Sequence, residues 1–142
     1  MPIKNYTTSI AVQKTVGEII GHLSRRGVVN VSARYSDDGT PEGVGFTMRT
    51  EYGYREFHLP VRVDGILAAM KKDPEVKPAQ RNPDQAARVA WRIAKDWLET
   101  VVALVEADLA SLDEVMMPYM VDASGQRTMF SLYRETQLAL DS

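Results

Sequence analysis

An α+β domain is the fold class this sequence predicts, and three observations predict it. Apolar residues recur at helical spacing up to Gly27, switch to period two between Val29 and Leu59, and return to helical spacing from Val63 onward. Turn signals at Asp38-Gly39 and at Gly53 divide the period-two stretch into three strands. No helix breaker intervenes from Pro83 until past Ala110, so one later helix exceeds all others. The expected order is an N-terminal helix, a three-stranded antiparallel meander, then a long helix and short C-terminal helices.

Each element has a local signature. Tyr6 to Val12 is rich in β-branched residues and reads as a strand or an extended arm. Thr15-Val16-Gly17-Glu18 has the pattern of a capping box, followed by Val16, Ile19, Ile20 and Leu23 on one helical face. In the first strand Val29, Val31, Ala33 and Tyr35 alternate with Asn30, Ser32 and Arg34. In the second, Val44, Phe46 and Met48 alternate with Gly45, Thr47 and Arg49. The third, Arg55 to Leu59, buries Phe57 and Leu59 and stops at Pro60. Val63, Ile66, Leu67 and Met70 then form a helical stripe expected to cover part of the sheet.

Asp73 to Pro83 carries three prolines and no period, which marks a loop within one domain, joining a helix/sheet/helix half (1–72) to a mainly helical half (84–142). Asn82 with Gln85 signals the start of the long helix, and Pro83 suits its first position. A helix of about 28 residues would reach about 42 Å, against about 37 Å for the diameter of a globule of this length. Its apolar positions form two stripes, Val89, Ile93, Trp97, Val101 and Leu104 beside Trp91, Ala94, Leu98, Val102 and Val105. A homo-oligomer, most simply a twofold dimer, is the expected consequence. Ser111 to Glu114 repeats the capping box, Pro118 ends that turn, and a last amphipathic segment follows around Met129, Phe130, Leu132 and Tyr133.

Composition narrows the function classes. The 142 residues have 44% hydrophobic and 25% charged side chains and a formal charge of −2, so no global positive field draws the chain to nucleic acid or an anionic membrane. Without cysteine there is no disulfide, thiolate nucleophile or Cys-ligated zinc, and two histidines alone do not build a multi-histidine metal site. The N-terminus lacks a signal-peptide pattern and no apolar run approaches a membrane span, so a cytoplasmic location is expected. No phosphate loop, metalloprotease, nucleophile-elbow or calcium-loop motif is found, and no cofactor is implied.

Two clusters have chemical content. If the alternation holds, Arg34, Arg49 and His58 share the polar face of the sheet with Ser32, Thr47 and Glu56, where guanidiniums could hold a phosphate or carboxylate. The simpler reading is a solvated face with a cross-strand Arg–Glu pair. Arg88, Arg92 and Lys95 project from one side of the long helix near its positive end, and repel unless an anion neutralises them. Pairs Arg92–Asp96 and Lys95–Glu99 at i, i+4 explain most of that row without a ligand. Trp91, Trp97, Tyr119, Met116, Met117, Met120 and Met129 suit either core packing or a partner surface, and Tyr52 and Tyr54 flank a turn where they could stack on a base.

Lys4-Asn5-Tyr6-Thr7-Thr8-Ser9-Ile10, Lys14-Thr15-Val16-Gly17-Glu18-Ile19, Arg88-Val89-Ala90-Trp91-Arg92-Ile93-Ala94-Lys95-Asp96-Trp97, and Met117-Pro118-Tyr119 with Gly125-Gln126 give the chain its strongest likeness. In these segments it resembles a family of small phage and prophage proteins, with no catalytic residues to carry across. The resemblance implies an accessory protein of a bacterial host cell, counter-defence included, that binds a host protein or a small anionic, nucleotide-like ligand. A nucleic-acid-binding accessory protein is the alternative, since arginines and tyrosines on a sheet suit a single strand. A small acid–base enzyme using Glu56, His58 and the arginines is the third reading.

Overall fold

The computed structural model describes residues 2–141. It contains α1 (Val12–Ser24), β1 (Val28–Tyr35), β2 (Pro41–Thr50), β3 (Gly53–Pro60), α2 (Val63–Lys72), α3 (Pro83–Glu106), α4 (Leu112–Met116) and α5 (Met129–Asp141). Single 3-10 turns occur at Pro78–Gln80 and Met117–Tyr119. The strands form one antiparallel meander in the order β1-β2-β3. No helix among the described residues is long and apolar enough to cross a membrane.

The core follows from the alternation in β2 and β3. Val44, Phe46, Met48, Phe57 and Leu59 turn inward, and Phe46 stacks on its cross-strand partner Phe57 with ring centroids 5.3 Å apart. Val16, Ile19 and Leu23 of α1 and Trp91, Leu98, Val101 and Val102 of α3 cover that face. Each such side chain, fully buried, stabilises the fold by about 1.5–3 kcal/mol. Trp91 satisfies its indole N–H on the Pro41 carbonyl at 3.2 Å. The stripe of α2 packs mainly on α3, where Met70 joins Val76, Ala86 and Val89 in a second cluster flanked by Ile3 and Tyr6, while Val63 and Ile66 also pack against the main cluster under the sheet.

Several local expectations give way to tertiary partners. Ala11, not Thr15, precedes the first turn of α1 and offers no side-chain cap. Thr15 is buried inside the helix, and both it and Glu18 accept from Arg92, so the capping-box pair is recruited across the helix interface instead. The opening arm forms no strand. It turns at Asn5, and the buried Gln85 side chain holds it by donating from Nε2 to the carbonyls of Tyr6 and Thr8, each at 2.9 Å.

In β1, Asn30 (φ 55°) and Val31 together oppose Phe46 alone, which is a β-bulge that reverses the alternation before it. Val28 is therefore the buried residue and Val29 the exposed one. Asn82 caps α3 as expected, its side chain accepting from the Gln85 N–H at 2.9 Å. The helix ends earlier than expected, where Asp108 takes a left-handed φ of 56°. Its 24 residues span about 36 Å, no more than the diameter expected of the domain, so length alone gives no reason for a partner. Most of its two stripes are covered within the chain, Trp97 and Leu104 remaining at the margin.

Candidate functional site

Strand register decides which polar side chains meet. On the outer face of the sheet Ser32 lies opposite Gly45, which lies opposite His58, and Arg34 lies opposite Gly43. Gly45 has no side chain to hold the flanking strands' groups apart. A Cβ placed there would sit 3.5 Å from Cδ of Arg34 and 3.6 Å from Cδ2 of His58, so these two side chains close over the glycine and bury it. Arg34 Nη1 reaches His58 Nε2 at 3.0 Å, and Glu56 Oε1 lies 3.0 Å from the same nitrogen. One nitrogen cannot serve both: bare, it accepts from Arg34, and protonated, it donates to Glu56. In either arrangement Arg34 meets no carboxylate among the described residues.

Arg34 and His58 line a cleft of about 760 Å³. The β1–β2 turn, with Ser36, Asp38 and Thr40, forms one wall; the first turns of α2 and α3, with Asp64 and Asp84, form another. The start of α5 closes the third side with Phe130 and Ser131. That start is fixed from both directions: Thr128 Oγ1 accepts from the Ser131 N–H at 3.2 Å, and Met129 N–H donates to the Met120 carbonyl at 2.8 Å. Val121 in turn donates to the Glu56 carbonyl at 2.8 Å, tying this segment to the edge of β3.

The cleft is electrostatically mixed. Arg34, His58 and Arg62 face the same volume as Asp38, Glu42, Asp64 and Asp84. The Asp38 carboxyl lies below the usual carboxylate range because the Ser36 hydroxyl donates to it, assisted by the Thr40 N–H. Leu59, Pro60, Val61, Arg62 and Tyr119 also line an adjoining groove of about 320 Å³, whose far side is Ile66, Ala90, Ile93, Ala94 and Trp97. Tyr119 and Trp97 meet there edge to face, 6.4 Å between ring centroids.

Of the residues expected to form a site, the structure brings together Arg34 and His58 and separates Arg49 from them. Arg49 lies opposite Tyr54, six residues along β2 from Gly43, which is about 20 Å in a strand. The row on α3 is consumed internally. Arg88 donates to Gln85 Oε1 at 2.9 Å, and Arg92 pairs with Glu18 at 3.1 Å. Lys95 pairs with Glu99, as its spacing predicts, and approaches Glu18 at 3.7 Å. Its ammonium is held above the usual range by Glu99 first, against a smaller effect of burial. Asp96 does not pair with Arg92. It takes Lys4 and Asn5 of the arm instead, at 3.2 and 2.9 Å.

Trp91 and Met116 are core residues, whereas Met117 is exposed. Sequence reasoning missed Arg62, Asp38, Asp64, Asp84 and the α5 contribution, because no spacing joins segments this far apart in the chain. No group of three or more His, Asp or Glu among the described residues could hold a metal ion. No known protein family, curated protein or solved structure matches the chain.

Proposed function

We propose that the chain is a binding protein whose cleft takes a small ligand through an anionic group, a carboxylate or phosphate, held by Arg34 with His58 beside it. One observation carries this reading: the Arg34 guanidinium lines a ligand-sized cleft and its side chain meets a ring nitrogen but no carboxylate among the described residues. A guanidinium offers two parallel donors to a carboxylate or phosphate, and this charge-assisted pairing is stronger than the contact with His58 that it replaces. The four carboxylates around the cleft favour a ligand with a single anionic group over a polyphosphate. The resemblance to small phage proteins supplies the setting, a ligand or protein segment of a bacterial host. Titration calorimetry with inorganic phosphate and with acetate at low salt tests the reading. Arg34→Ala is expected to cost about 1.5–3 kcal/mol of affinity, with stability changed by less than about 0.5 kcal/mol, because Arg34 is exposed. Equal affinity in both proteins would contradict the assignment.

A second reading rests on Arg49 and Tyr54, which face each other at the exposed outer end of the sheet. An exposed guanidinium beside an exposed ring is what a single nucleic-acid strand uses for phosphate and base. A gel shift with a single-stranded oligonucleotide, lost on Tyr54→Ala, would favour it. Self-association belongs to the same set of proposals, carried now by α5, which buries no residue and exposes Leu138 and Leu140. Light scattering on the intact chain reads it directly.

A further inference from the structure

The charge and shape of the cleft say more about its ligand than that it carries an anion. Resting on the binding reading above, we infer that the ligand is peptide-like: a zwitterion with a carboxylate for Arg34, an amine for the acidic wall, and an apolar side chain for the adjoining groove.

Three observations meet in this class. Asp64 and Asp84 face the volume that Arg34 faces, and no ion pair engages either of them among the described residues. Their positions in the first turns of α2 and α3 complement the helix dipoles, and the same positions bring them to the cleft wall. Four carboxylates face the cleft against the guanidiniums of Arg34 and Arg62, so a ligand with only an anionic group leaves an acidic excess, which an amine neutralises. A ligand with only an amine leaves Arg34 uncompensated. The adjoining groove, which shares Pro60, Arg62 and Tyr119 with the cleft lining, is also lined by Ile93 and Trp97 and has room for one aliphatic or aromatic side chain. Ser36 and Ser131 also line the cleft, and their hydroxyl oxygens keep lone pairs free to accept from a ligand's backbone N–H groups.

The test is a set of matched probes measured by titration calorimetry on the full chain: the tripeptide Phe-Gly-Gly, its N-acetyl form, its C-terminal amide, and Gly-Gly-Gly. Free Phe-Gly-Gly is expected to bind about tenfold tighter than each of the others, since each lacks one charge-assisted contact or the buried ring. In Asp64→Asn/Asp84→Asn the advantage over the N-acetyl form disappears, and in Arg34→Ala the advantage over the amide disappears. Equal binding of the free and acetylated peptides overturns the inference, and leaves the anion reading standing if Arg34→Ala still weakens both. Failure of all four probes, with phosphate binding that depends on Arg34, overturns the inference alone. If neither the peptides nor phosphate respond to Arg34→Ala, both readings fall.

Discussion

Gln85→Leu keeps the volume of a buried side chain and removes its amide, which isolates the contribution of one polar residue to the fold. Nε2 donates to the carbonyls of Tyr6 and Thr8, and Oε1 accepts from Arg88 Nε, all at 2.9 Å. Two partly buried bonds to backbone carbonyls contribute about 1 kcal/mol each. The Arg88 bond involves a charge, but Arg88 is half-exposed and water recovers part of its loss, so about 1 kcal/mol is a fair share. The sum is about 3 kcal/mol. At about 0.3 kcal/mol per degree for a chain of this size, thermal unfolding followed by circular dichroism should shift down by about 10 °C. Hydrogen exchange should show the largest loss of protection in residues 3–8, which hang on this side chain. A shift below about 3 °C, or an arm as protected as before, would refute the claim that Gln85 anchors it.

Three further outcomes follow from the same packing. Gly43→Ala brings a Cβ to 2.7 Å from the Leu59 carbonyl oxygen, closer than side chains tolerate, so chemical denaturation should show a loss of about 1–3 kcal/mol despite the small change. Gly45→Val pushes Arg34 and His58 apart instead, and should weaken phosphate binding in calorimetry while the unfolding midpoint moves little. The Asp96 carboxyl is pulled upward by burial but ends below its ordinary value because Asn5 and Lys4 together outweigh that effect. A depressed carboxylate contributes stability that is present above its unfolded pKa of about 3.9 and lost as pH falls through the folded value. Acid titration of Asp96→Asn should therefore show a shallower loss of stability below about pH 4 than the parent chain; an identical profile would contradict the assignment.

What the sequence makes legible is what depends on near neighbours. The periods of β2 and β3, the turns at Gly39 and Gly53, the Asn82 and Ser111 caps and the inward row Val44, Phe46, Met48 are all set within a few residues, and the structure has them, whereas the alternation expected in β1 fails at Val29 and at Tyr35, where the register shifts. The pairing of Arg34 with His58 was accessible because alternation and a meander suffice to place both on one face. That Arg49 stands apart required the register, which the bulge at Asn30 and the turn lengths determine jointly. The basic row on α3 misled for a related reason: its neutralising partner Glu18 comes from another helix, and a charge pattern read along one helix does not show it. The cleft was invisible for the same reason on a larger scale, because its walls come from the β1–β2 turn and the starts of α2, α3 and α5.

The most direct test of the central claim is an NMR titration of the full chain with inorganic phosphate, reading the Arg side-chain Nε–Hε signals and the His58 ring. Anion binding at Arg34 should give saturable shifts concentrated on Arg34, His58 and the amides of Gly43 and Gly45, fading as salt is raised. Shifts confined to Arg88 and Arg92, or spread evenly over exposed lysines and arginines without saturation, would contradict it.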